Sequence, residues 1–513
     1  MTAQTHLLWI DGKEIEGHGD LIPIENPATG EIFAHVQAAS DGDVQDAIQV
    51  AHDAFKSGSW SRAPRQTRAD TLDRIAALLT DVLPSLIRIE VQQTGRAIRE
   101  MNAQVPSLVK WFKYYASLLR VEERPVLPTT GKLHNWIERR PLGVVVQITP
   151  FNHPLLIAVK KIAPALAAGN SIVVKPSELT PITTLMLGKL LREAGVPDGV
   201  FNVVTGYGAT VGKALVSHPL VKKIDVTGGT PAGRAIGAIA GQNLARFTAE
   251  LGGKAPLIVF EDANVELAVN GIAFGSFIAS GQTCIAATRI IVHNSILPSM
   301  LAKLRAKAES IVRRMGDPMD ANTSMGPMIS ERQLQKAASL VEEAKIKGVT
   351  VVTGGERMSS TRSFDFSKGY YYPPTVLADS PSAKIADTKL WKEEAFGPII
   401  VIVGFDTEDE ALGLANDSEF GLGAAIWTQD LSRAFRMSEG IEAGICWVNT
   451  HHRNDPSSPW GGIGSSGVGS ENGVDAYHAY TSMKSTIINY ASTEESLAND
   501  DWFKEDGGAV RYG

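Results

Sequence analysis

From Gly143 to Gly229 short β-rich apolar runs alternate with helical stretches, without any internal sequence repeat. "GVVVQITP" leads into "PLLIAVKKIAPALAAG", and "NSIVVKPS" into a helix through "TTLMLGKLLREAG". "FNVVTG" leads through another helical stretch to "KKIDVTGG". Strands alternating with helices of this length are βαβ units, and they dictate a parallel sheet with helices packed on its faces. A second set begins after Cys284: "ATRIIV", the helix "LPSMLAKLRAKAESIVRRM", then "GVTVVTGG", "PIIVIVGF" and "GAAIWT". The fold class is therefore α/β. At about 150 residues per domain the length suggests two or three domains, and two parallel-sheet domains joined near residues 250–256 fit it. Two pieces stand apart: "KLHNWIERRP" alternates like a hairpin, and "MKSTIINYAS" reads as an isolated strand. The tail from Thr493 is acidic and polar and is expected on the surface.

Bulk properties remove several function classes. A net charge of −7 argues against a binder of phosphate backbones, so no nucleic-acid partner is expected. Two cysteines make no disulfide framework and are too few for a structural zinc site; no metal is expected. No run approaches the roughly 18 apolar residues of a membrane helix. The start, "MTAQTHLLWIDGKEIEG", reads as neither a secretory signal nor a transit peptide, so the expected location is cytoplasmic.

The chemistry concentrates in a few places. "GYGATVG" follows a strand but lacks the dinucleotide spacing, because its last interval is one residue too long. "VTGGTPAG" is the better phosphate cradle: Thr227, Gly228, Gly229 and Gly233 lie between a strand and a helix whose N-terminus favours negative charge. Lys175 and Glu178 lie just past another strand, at the sheet end where open α/β folds bind ligands, and a carboxylate there can chelate ribose hydroxyls. The plain alternative is two solvated loop charges. Glu250 precedes a Gly-Gly turn. One cysteine and one carboxylate together suit covalent catalysis in two halves, a thiolate attack followed by base-activated water. Taken alone, Cys284 also reads as a small buried hydrophobe. Cys446, in "GICWVNT", reads as packing.

These pieces together resemble the aldehyde dehydrogenase superfamily from about Ile24 to Ile488. The resemblance is carried by "PFNHP" (Pro150 to Pro154), "KPSE" (Lys175 to Glu178), "TGGTPAG" (Thr227 to Gly233) and "ELGGK" (Glu250 to Lys254). "GQTC" (Gly281 to Cys284), "EEAFGP" (Glu393 to Pro398), "VNT" (Val448 to Thr450) and "SPWGG" (Ser458 to Gly462) extend it. The resemblance implies a Rossmann-like NAD-binding domain over 1–121 and 142–253 and a catalytic domain over 254–448. It also implies a return segment at 449–477, an oligomerisation hairpin and strand at 122–141 and 478–491, and a polar tail at 492–513. A homodimer or homotetramer is implied with them.

The same resemblance assigns roles. Cys284 corresponds to the nucleophile and Glu250 to the general base, with Asn152 and the Cys284 backbone N–H as the oxyanion hole. Lys175 and Glu178 correspond to the adenine-ribose residues, Glu394 and Phe396 to those at the nicotinamide ribose. Thr149, Phe151, Leu251 and Gly252 complete the cofactor set. Glu471 stands where some members carry a second proton-relay glutamate, and a surface charge is its alternative reading. Gly229 replaces a frequent serine, and Phe151 a frequent tryptophan. The cofactor is expected to be NAD, with NADP less favoured because Glu178 repels a 2′-phosphate. A local field is expected to lower the thiol pKa from its usual value of about 8.5.

The implied function is oxidation of an aldehyde to its acid. A thiol esterase and a non-catalytic binding protein are the other classes, and a CoA-acylating activity is disfavoured by Glu250. For the substrate, His153, Leu156, Ile157 and Lys160 fall on one face of the helix after Pro154. With Thr283, Trp460 and the loop residues His451, His452 and Arg453, that face suggests a polar aldehyde carrying a carboxylate. A hydroxylated or aromatic aldehyde bound by the histidines is the alternative substrate class; the plain alternative for the charges is Lys160 turned outward and Arg453 paired to Asp455.

Overall fold

A computed structural model describes residues 4–360, 364–503 and 505. Its centre is two sheets. The eight-stranded sheet runs, edge to edge, through Gly467–Val468, Arg246–Glu250, Val221–Thr227, Val144–Ile148, Ser171–Lys175, Phe201–Val203, Leu8–Ile10 and Lys13–Ile15. Its five central strands are parallel and the additions at both edges are antiparallel. The parallel strands are buried on both faces, which is why "VVV" and "SIVVK" read as continuous apolar runs rather than alternating ones.

The strand order fixes where a ligand can enter. From Val144–Ile148 the chain winds outward through Ser171–Lys175 and Phe201–Val203. It then crosses back to lay Val221–Thr227 on the other side of the first strand. The crossover loops diverge beyond the carboxyl ends of Val144–Ile148 and Val221–Thr227, leaving a crevice at that switch point. The loop Thr149–His153 and the Thr227–Gly229 turn both open there.

The seven-stranded sheet runs Thr350–Thr353, Thr375–Ala378, Ile399–Phe405, Ala287–His293, Ala255–Val259, Gly423–Trp427 and Ile445–Val448, all parallel except the first. Cys446 lies in its last strand, packed against the core of that sheet. The strand Arg246–Glu250 ends one sheet and Ala255–Val259 begins the other, so the Gly252-Gly253 turn joins them. Gly253 has no room for a side chain: a Cβ there would lie 2.1 Å from the carbonyl oxygen of Cys284.

The two stray segments pair with each other. Leu133–Pro141 lies antiparallel to Thr481–Asn489, with Val126–Leu127 on its other side. A further small sheet, Gln4–His6, Glu31–Gln37 and Leu21–Asn26, packs Ile22, Ile24, Ala34 and Val36 into the same core as the eight-stranded sheet. The polar tail begins as a short helix, Thr493–Asn499, capped by Ser492 and tied to Lys132 by Glu495 at 2.6 Å. Its residues 504 and 506–513 lie outside the described residues. Among the described residues, no helix is long and apolar enough to cross a membrane.

Candidate active site

A cavity of about 850 Å³ opens at the switch point, and Asn152, Glu250, Cys284, Glu394 and Glu471 all line it. Each is delivered by the end of a regular element. Asn152 sits in the loop between Val144–Ile148 and the helix Pro154–Ala168, which starts on proline, where a missing N–H costs nothing. Glu250 is the last residue of its strand, held by pairing to Thr227 on one side and Gly467 on the other. The return segment fixes the turn beyond it: Leu251 N donates to Ser466 O at 2.8 Å, and Ser466 Oγ to Gly252 O at 2.7 Å.

Cys284 follows three consecutive residues in the left-handed region, Ala279, Ser280 and Gly281. Two of these are not glycine, a conformation the surroundings must impose. Glu100 accepts the Ala279 N–H at 3.2 Å and Ser280 Oγ donates to Gly326 O at 2.8 Å. Gly281 could be no other residue, since a Cβ would meet the Gly397 carbonyl oxygen at 2.2 Å. The result is a pinned turn presenting the sulfur. Asn152 Nδ2 spends one N–H on Gln282 O at 2.8 Å, leaving its second for a ligand.

The field around the sulfur corrects one expectation. Desolvation by the surrounding protein, then the carboxylates of Glu250 and Glu394, push the Cys284 thiol up to about 12. On balance the chain's own groups raise this pKa, although Lys160 pulls the other way. Glu250 is likewise pushed well above the usual carboxyl range, by burial first and then by the Glu471 charge. Neither of its oxygens has a hydrogen-bond partner among the described residues.

Glu471 is no surface charge. It is 3% exposed, held by backbone bonds in both directions with Trp460. Burial would raise its pKa, but Lys160 at 2.7 Å and Lys161 at 2.6 Å pull it down to about 2. Lys160 is therefore corrected too. The helix Pro154–Ala168 buries thirteen of its fifteen residues, so its ammoniums must be paired. Lys160 spends its charge on Glu471 and lies 4.6 Å over the Trp460 ring. It neither turns outward nor stands free to clamp a carboxylate.

Of the other expected substrate residues, His153, Thr283, His452, Arg453 and Trp460 line the cavity, as do Leu156 and Ile157. His451 does not: it is buried behind them, stacked 4.8 Å from Trp447 and bonded to His452. Burial holds His451 down to about 3, and holds His153 and His452 well below the ordinary histidine value, with Arg96 and neighbouring histidines adding to it. All three are neutral rings. Arg453 is exposed and makes no ion pair with Asp455.

The cofactor set divides in two. Phe151, Thr227, Gly228, Gly229, Leu251, Gly252, Glu394 and Phe396 line the cavity. A Cβ on Gly228 would meet nothing within 4 Å, and one on Gly229 only a ring carbon of Pro231 at 3.8 Å. The protein leaves that space open at the N-terminus of the helix Thr230–Gln242, which suits a diphosphate. Glu394 accepts the Gly253 N–H at 3.0 Å. Phe396, at positive φ, meets Phe151 edge-on at 5.7 Å. Lys175, Glu178, Thr149 and Gly233 lie off the cavity. Lys175 is buried, 3.7 Å from half-exposed Glu178, so these two form a built pair and not loose loop charges. Gly233 serves packing: a Cβ would sit 2.4 Å from the Leu251 side chain. "GYGATVG" becomes one π-helical turn, Gly208–Gly212, before a short helix.

The residues match an aldehyde dehydrogenase family model over 14–486. The chain belongs to the aldehyde dehydrogenase family. It is an oxidoreductase acting on aldehydes. An aminoaldehyde dehydrogenase of Pisum sativum, peroxisomal by name, is 38% identical over 502 residues, covering 96% of this chain and 97% of the relative. PnpE in complex with nicotinamide adenine dinucleotide, a protein of Pseudomonas sp. WBC-3, is 40% identical with a TM-score of 0.91, over 95% of this chain and 98% of that one. The betaine aldehyde dehydrogenase of Staphylococcus aureus with NAD+ is 36% identical with a TM-score of 0.91, over 95% of each chain.

Sequence reasoning missed one wall of this aldehyde dehydrogenase cavity. Arg96, Glu100 and Gln104, from the short helix Ile98–Gln104 and the turn before it, line it beside His153. Their i, i+4, i+8 spacing was the available signal.

Proposed function

We propose that the enzyme oxidises a carboxylate-bearing aldehyde with NAD, through a covalent intermediate on Cys284. The observation that carries the chemistry is the meeting of Cys284, Glu250 and Asn152 in one cavity, delivered by three different elements. The Cys284 thiol gives up its proton to solvent, the resulting thiolate attacks the carbonyl carbon, and the carbonyl electron pair moves to oxygen. That oxyanion is received by the second N–H of Asn152 and the N–H of Cys284; losing one such donor typically costs about 10²–10³ in rate. NAD, when bound, supplies the hydride acceptor that leaves a thioester on the sulfur. Glu250 then takes a proton from water, whose oxygen attacks the thioester and releases the acid and the thiol. With its pKa raised by burial and by the Glu471 charge, and no hydrogen bond to hold it, Glu250 is a stronger base than an ordinary carboxylate. Cys284→Ala removes the site of both the thiohemiacetal and the thioester, so NADH formation and ester hydrolysis should both vanish. Ester hydrolysis that persists would overturn the assignment.

The substrate class follows from charge. Arg99, Arg314 and Arg453 are exposed and Lys307 half-buried, all four line the cavity, and none has a carboxylate within ion-pair distance among the described residues. Of the four acids lining the cavity, Glu100 is engaged with Arg96 and Glu471 with Lys160 and Lys161, Glu250 is driven toward its neutral form, and Glu394 accepts the Gly253 N–H. An anion is drawn to such a mouth, and a guanidinium suits a carboxylate. The ammonium of an aminoaldehyde, the substrate in the pea relative's name, would meet four like charges. Semialdehydes of dicarboxylic acids should show higher kcat/KM than hexanal, benzaldehyde or 4-aminobutanal, and Arg453→Ala should raise KM for the acids. Neutral or cationic aldehydes winning would end this reading.

The sheet at 126–141 and 481–489 exposes Val126 and Ile488 on one face and Met483 and Ile487 on the other, apolar groups that a second copy of the chain would cover as a dimer or tetramer. Both cysteines are free, and a thiol nucleophile suits a reducing compartment such as the cytoplasm.

A further inference from the structure

The wall that the sequence did not reveal also orients a substrate contact. His153 lies between two sides of the cavity. Its Nδ1 stands 2.7 Å from Arg96 Nη1 and 3.1 Å from Gln104 Nε2, and its Nε2 stands 3.2 Å from Thr283 Oγ1. Arginine has donors and no acceptor, so Nδ1 must be the lone-pair nitrogen. Gln104 agrees, because its Oε1 accepts from Arg96 at 2.9 Å and its amide nitrogen is left to donate. The imidazole is thereby fixed as the Nε2–H tautomer, and that N–H donates to the Thr283 hydroxyl. A hydroxyl has one proton to give. With an oxygen lone pair of Thr283 taken by His153, its own proton points elsewhere, and no residue among those described accepts it. Thr283 lines the cavity and is the residue before Cys284.

We propose that Arg96, acting through His153, makes the Thr283 hydroxyl a fixed hydrogen-bond donor to an oxygen substituent of the aldehyde close to its reacting carbon. This rests on the carboxylate-bearing substrate class and deepens it. Thr283 touches the substrate; Arg96 and His153 are positioning residues. The relay is anchored at its far end. Glu100 takes Arg96 Nε at 3.0 Å and the Ala279 N–H at 3.2 Å, so one carboxylate holds both the relay and the turn that carries the nucleophile. Arg96 itself is 2% exposed, which keeps its fork in one geometry. A short acidic semialdehyde fits the donor, because its oxygens lie within a few bonds of the aldehyde carbon.

The test is the selectivity ratio, kcat/KM for the four-carbon semialdehyde of a dicarboxylic acid divided by kcat/KM for butanal. Thr283→Val should lower it about tenfold, the scale of one hydrogen bond to a charged acceptor, and Thr283→Ser should retain it. Arg96→Met should lower the ratio in the same direction and Arg96→Lys, which keeps a donor to Nδ1, should restore it. The double variant Arg96→Met/Thr283→Val should be no worse in this ratio than Thr283→Val alone. A merely structural Arg96 would slow both aldehydes alike and leave the ratio in place. Wild type preferring the acid while Thr283→Val keeps the full ratio would overturn this inference alone. Wild type with no preference for the acid would overturn the substrate class and this inference with it.

Discussion

Glu250 and Glu471 are both buried and both line the same cavity, yet the protein treats them as opposites. Glu250 ends a strand with no hydrogen bond to either oxygen and is driven toward its neutral form. Glu471 faces two lysines and is held ionised down to about 2. The same functional group becomes a base in one place and a fixed charge in the other, by environment alone. The two are linked, since the Glu471 charge is the largest influence on Glu250 after burial. The difference teaches that burial does not set a carboxyl's role until its partners are counted.

The largest effect should come from breaking the fixed charge. Glu471→Gln strands Lys160 and weakens the hold on Lys161, and removing one side of a buried ion pair typically costs roughly 3–5 kcal/mol. A denaturant melt should show that loss, while Glu250→Gln, which breaks no bond, should be neutral or stabilising. The pH dependence should differ in sign. Glu471 has a lowered folded pKa, so its contribution is present above the unfolded value of about 4.3 and is lost as pH falls toward 2. Glu250 has a raised folded pKa, so stability falls as pH climbs from the unfolded value toward the folded one. Melts from pH 4 to 8 should therefore be flatter for Glu250→Gln than for wild type.

A smaller effect should appear in kinetics. Lys160 lowers the pKa of both Glu250 and Cys284, so Lys160→Met should move the rising limb of the pH–rate profile to higher pH. Glu471→Gln, losing the anion, should move it lower. Limbs that move together, or not at all, would uncouple the two carboxylates. Smaller again is the cofactor choice: Glu178→Ser should narrow an NAD preference over NADP by about tenfold, on the scale of charge-assisted hydrogen bonds. A wild-type kcat/KM higher with NADP would contradict that role. Least of all, Cys446→Ala should keep most activity, since its thiol packs in a strand away from the cavity.

How much of this was legible in the sequence follows the range of the forces. The parallel strands were, because burial on both faces writes continuous apolar runs. The motif residues were, because turns with fixed glycines write short signatures, as Gly281 and Gly253 show. The partners of long side chains were not. Lys160 was placed on the correct helix face, yet its charge is taken by Glu471, which lies 311 residues away (471 − 160). His451 and His452 are adjacent in sequence, and only the fold decides that one lines the cavity and the other lies behind it. The Arg96 wall was missed because its role depends on His153, joined to it only in space. The cysteine field ran opposite to expectation for the same reason: Glu250, ending a strand of the eight-stranded sheet, and Glu394, just before a strand of the seven-stranded one, both act on the sulfur.

In the proposed reaction Cys284 and Glu250 divide the work, one carrying the acyl group and the other releasing it. Mixing Glu250→Gln with NAD and aldehyde in a stopped-flow instrument, followed by mass spectrometry of the protein, tests this directly. The expected result is a burst of up to one NADH per active site, then a stall, with the acyl mass on the peptide containing Cys284. A normal steady-state rate with no adduct on that peptide would contradict it.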